Sequence, residues 1–216
     1  MQWSFSRLNT FENCPKRFYY QYIEQQYHEP PQEHLQWGTH VHEELEKRMR
    51  DKTSLPLPLQ KHEHYMQTFE KAGDGGRILV EQKLALTEDL QPVPMEHPDA
   101  WCRGIIDLAI IKDNKALIVD YKTGKMKNDF TQLHLFAKLL TAKYPFVEQV
   151  MCQYLWLKFN KATKDTVDVE KIEKKWGKIK ERADRMMEAV KHDKFPERPS
   201  GLCGWCYARN CSFCPN

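Results

Sequence analysis

The chain has 216 residues, 41% of them hydrophobic and 12% aromatic, which suffices for a real core and predicts one domain with appendages. Charged residues make up 29% and mean hydropathy is −0.73, so a soluble protein is expected, and no apolar run approaches the length of a membrane span. The net charge of +3 permits a local nucleic-acid-binding patch without requiring one. The opening Met1-Gln2-Trp3-Ser4-Phe5-Ser6-Arg7 lacks the basic and apolar regions of a signal peptide. A reducing compartment is therefore expected, in which the seven cysteines read as thiols or metal ligands and not as disulfides.

Residues 4–24 read as a helix capped by Ser4 or Ser6, with Phe11, Phe18, Tyr19 and Tyr22 as its apolar surface and a break at Pro15. Trp3, Phe5 and Tyr19 have the faces to stack on unpaired bases, but core or helix packing is the simpler expectation. After a polar stretch with Pro30-Pro31, residues 35–50 form a second helix with Trp37, Val41, Leu45 and Arg48 or Met49 on one face. A proline-containing loop over 51–60 precedes a short helix at 61–72 and a turn at 73–76. The period then changes to two: Ile78, Val80, Leu84 and Leu86 mark a first strand. Pro92, Pro94 and Pro98 mark a loop, and strands at 101–112 and 115–122 flank the hairpin-like Lys112-Asp113-Asn114. A helix at 129–143, a strand at 148–158, an amphipathic helix at 168–191 and a cysteine-rich tail complete the chain. Helix, three strands, helix and strand in that order predict an α/β fold, a mixed sheet with helices packed around it.

The strands at 101–112 and 115–122 carry the chemistry. Each places one carboxylate, Asp107 or Asp120, in an otherwise apolar run. Side chains alternate along a strand, so Asp120 and Lys122 share a face. Buried charge is costly unless it is paired or bound to a metal. Asp107 and Asp120 on neighbouring strands suit one divalent cation, magnesium or manganese, with the backbone carbonyl of Tyr121 as a further ligand. Lys122 is placed to neutralise a phosphate or orient a water. One acid alone would read as a strand end or a surface ion pair; the set, followed by Thr123-Gly124, reads as a metal site for phosphodiester hydrolysis. His40 and His42 lie two apart on a helix and do not share a face, so they do not form a two-histidine zinc site.

These residues resemble a known pattern. Gly38-x-x-x-His42-Glu43, Gly104-x-x-Asp107, Asp120-Tyr121-Lys122-Thr123-Gly124 and Gln132-x-x-x-Phe136 occur in that order. With Ser4-Phe5-Ser6-Arg7-Leu8 through Cys14-Pro15-Lys16-Arg17-Phe18, they are similar to the RecB-like branch of the PD-(D/E)XK nuclease superfamily. The resemblance implies an αβββαβ restriction-endonuclease-like core. It implies His42, Asp107 and Asp120 as metal ligands, Lys122 as the catalytic lysine, and Gln132 as a residue bonding DNA or the site. Position 136 departs from it: a tyrosine is usual there, and Phe136 reads as core packing. His40 has no counterpart. On this reading 1–216 is a single nuclease domain, with a helical part at 1–72, a catalytic core at 73–160, a helix at 168–191 and a metal-cluster tail at 192–216.

Cys203, Cys206, Cys211 and Cys214 put four thiols in the tail, a set that suits closed tetrahedral zinc or an iron–sulfur cluster. Several RecB-like nucleases, including AddB helicase-nucleases and CRISPR-associated relatives, join one N-terminal to three C-terminal cysteines through a [4Fe–4S] cluster. The resemblance therefore implies Cys14, Cys203, Cys206 and Cys211 as its ligands, with Cys214 as the possible substitute and Zn2+ as the alternative metal. Cys102 and Cys152 read as buried thiols. Lys122, Lys125 and Lys127 are placed to track phosphates, whereas Lys171 through Arg182 read as a solvated helix face.

The expected function is a Mg2+- or Mn2+-dependent DNA exonuclease in recombination, repair or phage DNA processing. Its partners would be DNA ends or single strands and recombination or replication proteins, with no membrane, in the cytoplasm of a bacterium or phage-infected host. The absence of a Walker-type glycine loop argues against ATP use within the chain. The rivals are a structure-specific endonuclease of the same fold and a non-catalytic zinc or iron–sulfur nucleic-acid-binding module.

Overall fold

The computed structural model describes residues 1–26, 30, 32–208 and 211–214. The chain folds into two compact units, Gln32–Gly177 and a unit formed by Met1–Pro31 with Lys178–Asn216. In the expected polar stretch, Pro31 lies outside the described residues.

The larger unit is built on a six-stranded sheet in the order β2-β1-β3-β4-β5-β6, comprising β1 (Arg77–Leu86), β2 (Pro92–Val93), β3 (Cys102–Lys112), β4 (Lys115–Lys122), β5 (Gln149–Trp156) and β6 (Lys161–Asp168). All neighbours are antiparallel except β4 and β5, which run parallel and are joined through α5 (Thr131–Lys143), because a parallel pair needs a crossover. On one face, α3 (Glu33–Asp51) and α4 (Glu63–Ala72) bury Val41, Leu45, Met49, Met66 and Phe69 against Leu108, Ile110, Val119, Tyr121 and Leu155. On the other face lies α5, whose Leu133, Phe136, Leu139 and Leu140 are buried. Phe136 packs as expected: a Cβ built on Gly104 of β3 would lie 2.7 Å from its ring, so α5 approaches the sheet closely because residue 104 has no side chain. The fold is therefore mixed α/β with helices on both faces, as the element order predicts.

β6 and the short β2 are absent from the sequence reading, and both are additions to it. Lys161-Ala162-Thr163-Lys164-Asp165-Thr166-Val167-Asp168 carries almost no hydrophobic alternation, because β6 is an edge strand with a largely solvated surface. Asn160, in the left-handed region at φ 49°, turns the chain back so that β6 pairs with β5. His134 of α5 reaches this strand and holds Asp165 at 2.7 Å.

In the smaller unit the break at Pro15 is where the pattern places it. α1 (Phe5–Asn13) is capped by Ser4, whose Oγ accepts from the Arg7 amide, and α2 (Pro15–Phe18) starts on the proline and runs on as a π-helical turn, Tyr19–Ile23. Phe18 is fully buried, edge-on to Phe11 and stacked on Phe195. α6 (Val169–Lys191) matches the expected amphipathic helix and supplies residues to both units.

Candidate active site

The backbone register builds the site. Val80 pairs with Leu108 and Gln82 with Ile106, so Glu81 falls opposite Asp107; Leu108 pairs with Val119, so the next position sets Asp107 beside Asp120. Three carboxylates therefore form one row across β1, β3 and β4. At this row β1 and β3 change sides, while β4 keeps Leu117, Val119 and Tyr121 on one face. Ile78, Val80, Leu108 and Ile110 join the cluster under α3 and α4, whereas Gly104, also even-numbered, faces α5. A regular strand keeps even residues on one face, so the alternation is reset between residues 104 and 108. Glu81 marks the reset with φ 49°, a left-handed conformation that a side-chain-bearing residue adopts only at a cost in strain.

His42 enters from α3, with its Nδ1 3.4 Å from Asp107 Oδ2. Gly38, one helical turn earlier on the same face, brings α3 against the end of β4: a Cβ there would meet Thr123 Oγ1 at 3.4 Å. Asp107 Oδ2 also accepts the Tyr121 amide at 2.7 Å, which locks the carboxylate to the neighbouring strand. The ligand atoms of His42, Glu81 and Asp107 all lie within 4.8 Å of one another, a spacing that one cation can span. Glu81 is the residue that the sequence reading lacks.

Asp120 is 3% exposed. Lys122 Nζ lies 2.6 Å from its Oδ2, the pairing that alternation predicts. That ion pair is the partner of a deeply buried oxygen, and it offsets part of the cost of burying the charge. Lys122 also donates to Gln132 Oε1 on α5 at 3.0 Å. Oxygen and imidazole donors crowded together in the His/Glu/Asp cluster, with a buried carboxylate next to Asp107, fit a divalent cation. Of the residues expected at the metal site, His42 and Asp107 lie in this cluster with Tyr121 bonded to Asp107 through its amide, while Asp120 lies beside it on the Lys122 side and outside the three-ligand group.

The electrostatics follow from crowding acids in a dry place. Burial and then the charge of Asp107 raise the Asp120 pKa, against the opposing pull of Lys122. Burial, then the charges of Asp107 and Glu46, push Glu81 up to about 7. Burial disfavours the His42 imidazolium, but the hydrogen bond to Asp107 and the charges of Asp107 and Asp120 prevail and raise its pKa.

An acid whose pKa is higher folded than unfolded stabilises the fold while protonated and loses that contribution as pH rises through the folded value. A histidine raised in the same way acts with the same sign. The thermal midpoint of the metal-free protein is therefore expected to fall from about pH 4.5 to about pH 7, less steeply in Glu81→Gln, and Mn2+ should restore more of it at the higher pH. Parallel profiles for wild type and Glu81→Gln, measured by calorimetry, would contradict the assignment of Glu81.

The sequence model of the PD-(D/E)XK nuclease superfamily matches residues 2–215. The chain belongs to this superfamily. No curated protein sequence matches this nuclease. Among solved structures, a proposed exonuclease from Eubacterium rectale aligns over 99% of this chain and 86% of its own at 11% identity and a TM-score of 0.54, a likeness of fold. A structure of SSO0001 aligns over 95% and 84% at 12% identity, with a TM-score of 0.44. Superfamily membership carries divalent-metal-dependent nuclease chemistry, and the His42, Glu81 and Asp107 cluster supplies donors for the metal.

In the unit formed by the chain ends, Cys206, Cys211 and Cys214 come together with Tyr20. Burial, then hydrogen bonds to Cys206 and Cys211, push the Cys214 thiol up to about 12. Cys214, expected as the spare, thus sits with two of the expected ligands. Cys203 Sγ accepts the Ser200 amide at 3.3 Å, and Cys14 lies between α1 and α2 with a side chain that caps neither. Cys102 and Cys152 are buried thiols.

Proposed function

We propose that this nuclease is a deoxyribonuclease that hydrolyses phosphodiester bonds from DNA ends, serving recombination, repair or phage DNA processing. One observation carries the reading: a row of three carboxylates, Asp107 and Asp120 buried and Glu81 half-buried, flanked by His42 on one side and by Lys122 with Gln132 on the other. His42, Glu81, Asp107, Asp120 and the Tyr121 carbonyl would hold Mg2+ or Mn2+, which supplies Lewis acidity and offsets negative charge at the phosphate. The amide of Tyr121 keeps Asp107 turned inward. Gln132 and Asp120 hold the Lys122 ammonium from two directions, so it can meet the charge that develops on the phosphate without reorganising. Water then displaces the leaving oxygen at phosphorus. The description of the Eubacterium rectale relative agrees with action at ends.

The test is digestion of end-labelled linear single- and double-stranded DNA beside covalently closed circular DNA, with Mg2+ or Mn2+. Labelled mononucleotides or short products with intact circles are expected. Linearised circles would establish the endonuclease reading instead, and bound but uncleaved DNA would establish the non-catalytic one.

The tail thiols are assigned to a [4Fe–4S] cluster with four ligands, Cys206, Cys211 and two from Cys14, Cys203 and Cys214. What supports a metal there is that Cys206, Cys211 and Cys214 pack in one small cluster with Tyr20, close enough for modest movement to gather thiolates on a metal. Colourless, zinc-containing protein from anaerobic purification would overturn this assignment in favour of zinc.

A further inference from the structure

A cleft of about 530 Å³ lies wholly within the unit formed by the chain ends, walled by α1 and the last turns of α6 with the segment that follows. Arg182, Arg185, Lys194 and Arg198 line it with a single carboxylate, Glu12, so its local charge matches the +3 of the entire chain.

The cleft is organised internally. Glu12 binds the Arg182 guanidinium in a two-point fork, Oε1 to Nε at 2.7 Å and Oε2 to Nη2 at 2.6 Å. The backbone carbonyl of Glu12 accepts from Arg198 Nη1. The one acid is thus spent on fixing two of the cations. Arg185 and Lys194 are both exposed, and neither forms an ion pair among the described residues. Phe11 and other apolar side chains supply the rest of the lining.

We propose that this cleft binds a single-stranded DNA segment, with Arg185 and Lys194 on consecutive phosphates and the apolar lining against sugars and base edges. The choice of DNA as ligand rests on the nuclease reading above. A free phosphate would need only the cations; a strand uses both the cations and the apolar surface, which is how single-strand grooves are built. Unpaired exposed cations around a fixed guanidinium give backbone contacts, which set affinity and register without reading sequence. The site does not include the carboxylate row, so binding here is separable from chemistry.

The experiment measures binding of a fluorescent single-stranded oligonucleotide by anisotropy in EDTA, so that no turnover occurs, across a salt series. Arg185→Ala with Lys194→Ala is expected to weaken binding about 10-fold at low salt and to flatten the log–log salt slope by about 1.4, two phosphate contacts on a single strand. Arg185→Lys with Lys194→Arg should retain the wild-type slope. Both residues are exposed, so an unchanged thermal midpoint is expected and checks the fold. Wild-type affinity and slope in the double alanine variant would overturn the proposal, as would equal losses in the charge-retaining variant. Weakened binding in a protein that cleaves no DNA would sustain the cleft and defeat the nuclease reading; unchanged binding in a protein that cleaves would do the reverse.

Discussion

Asp120→Asn is expected to lower metal-dependent cleavage by about 10²–10⁴-fold, and Lys122→Ala by a comparable factor, at saturating DNA and Mg2+. Asp120 is 3% exposed and its Oδ2 sits 2.6 Å from the lysine that completes the site. In the absence of metal, that carboxylate is crowded by Asp107 and poorly solvated, so removing its charge relieves the fold while removing the activity. Asp120→Asn without metal should therefore melt at the same temperature as wild type or higher, and added Mn2+ should no longer raise its midpoint as much. Lost activity with retained or gained stability separates a site residue from a structural one, whose replacement lowers both. The double variant should be little worse than either single one, because the two side chains act as a unit. Full cleavage by Asp120→Asn would remove the carboxylate row from the mechanism.

The second large effect lies in the helix that carries His42. Arg48 is 8% exposed and is gripped by two residues of α4: Glu63 accepts from Nε at 2.8 Å, and Glu70 from Nη1 at 3.0 Å. The Arg48 hydrogen bond, with Lys52 in support, holds Glu70 down to about 2. Arg48→Ala leaves Glu63 without its partner and Glu70 with Lys52 alone, and, because both acids are about 30% exposed, is expected to cost about 2–3 kcal/mol by urea denaturation, less than for a fully buried pair. Combining Arg48→Met with Glu63→Gln and Glu70→Gln should return most of that loss, since the penalty comes from stranded charge and not from missing attraction. A fall below about 1 kcal/mol in Arg48→Ala would show that the cluster is solvated and contributes little.

These two cases show what the sequence conveys. Asp107, Asp120 and Lys122 are legible because an acid inside an apolar run is conspicuous and strand alternation then fixes its partner. Glu81 obeys the same rule, ending Ile78-Leu79-Val80. It is hidden because regular alternation through Ile78, Val80, Leu84 and Leu86 assigns it to the solvent face, and only the backbone reset turns it inward. Arg48 is visible as a residue on the apolar face of α3, but its two partners lie on another helix and no local pattern pairs them. β6 is missed for the opposite reason: it is held by the hydrogen bonds of its neighbour and not by a hydrophobic face of its own. The tail cysteines announce a metal by their number, while the choice among five thiols depends on how the two chain ends fold together.

The reset at the Glu81–Asp107 row has a consequence for how these strands tolerate change. Each strand is two half-strands of opposite parity joined at a fixed point, and each half keeps its own inside and outside. Substitutions within a half are judged only by size and polarity. A one-residue insertion or deletion in β1 or β3 is different: it inverts one half relative to the other, exposes its apolar residues and carries its acid away from the cation. The length of chain on either side of the carboxylates is thus as much a part of the site as the carboxylates themselves.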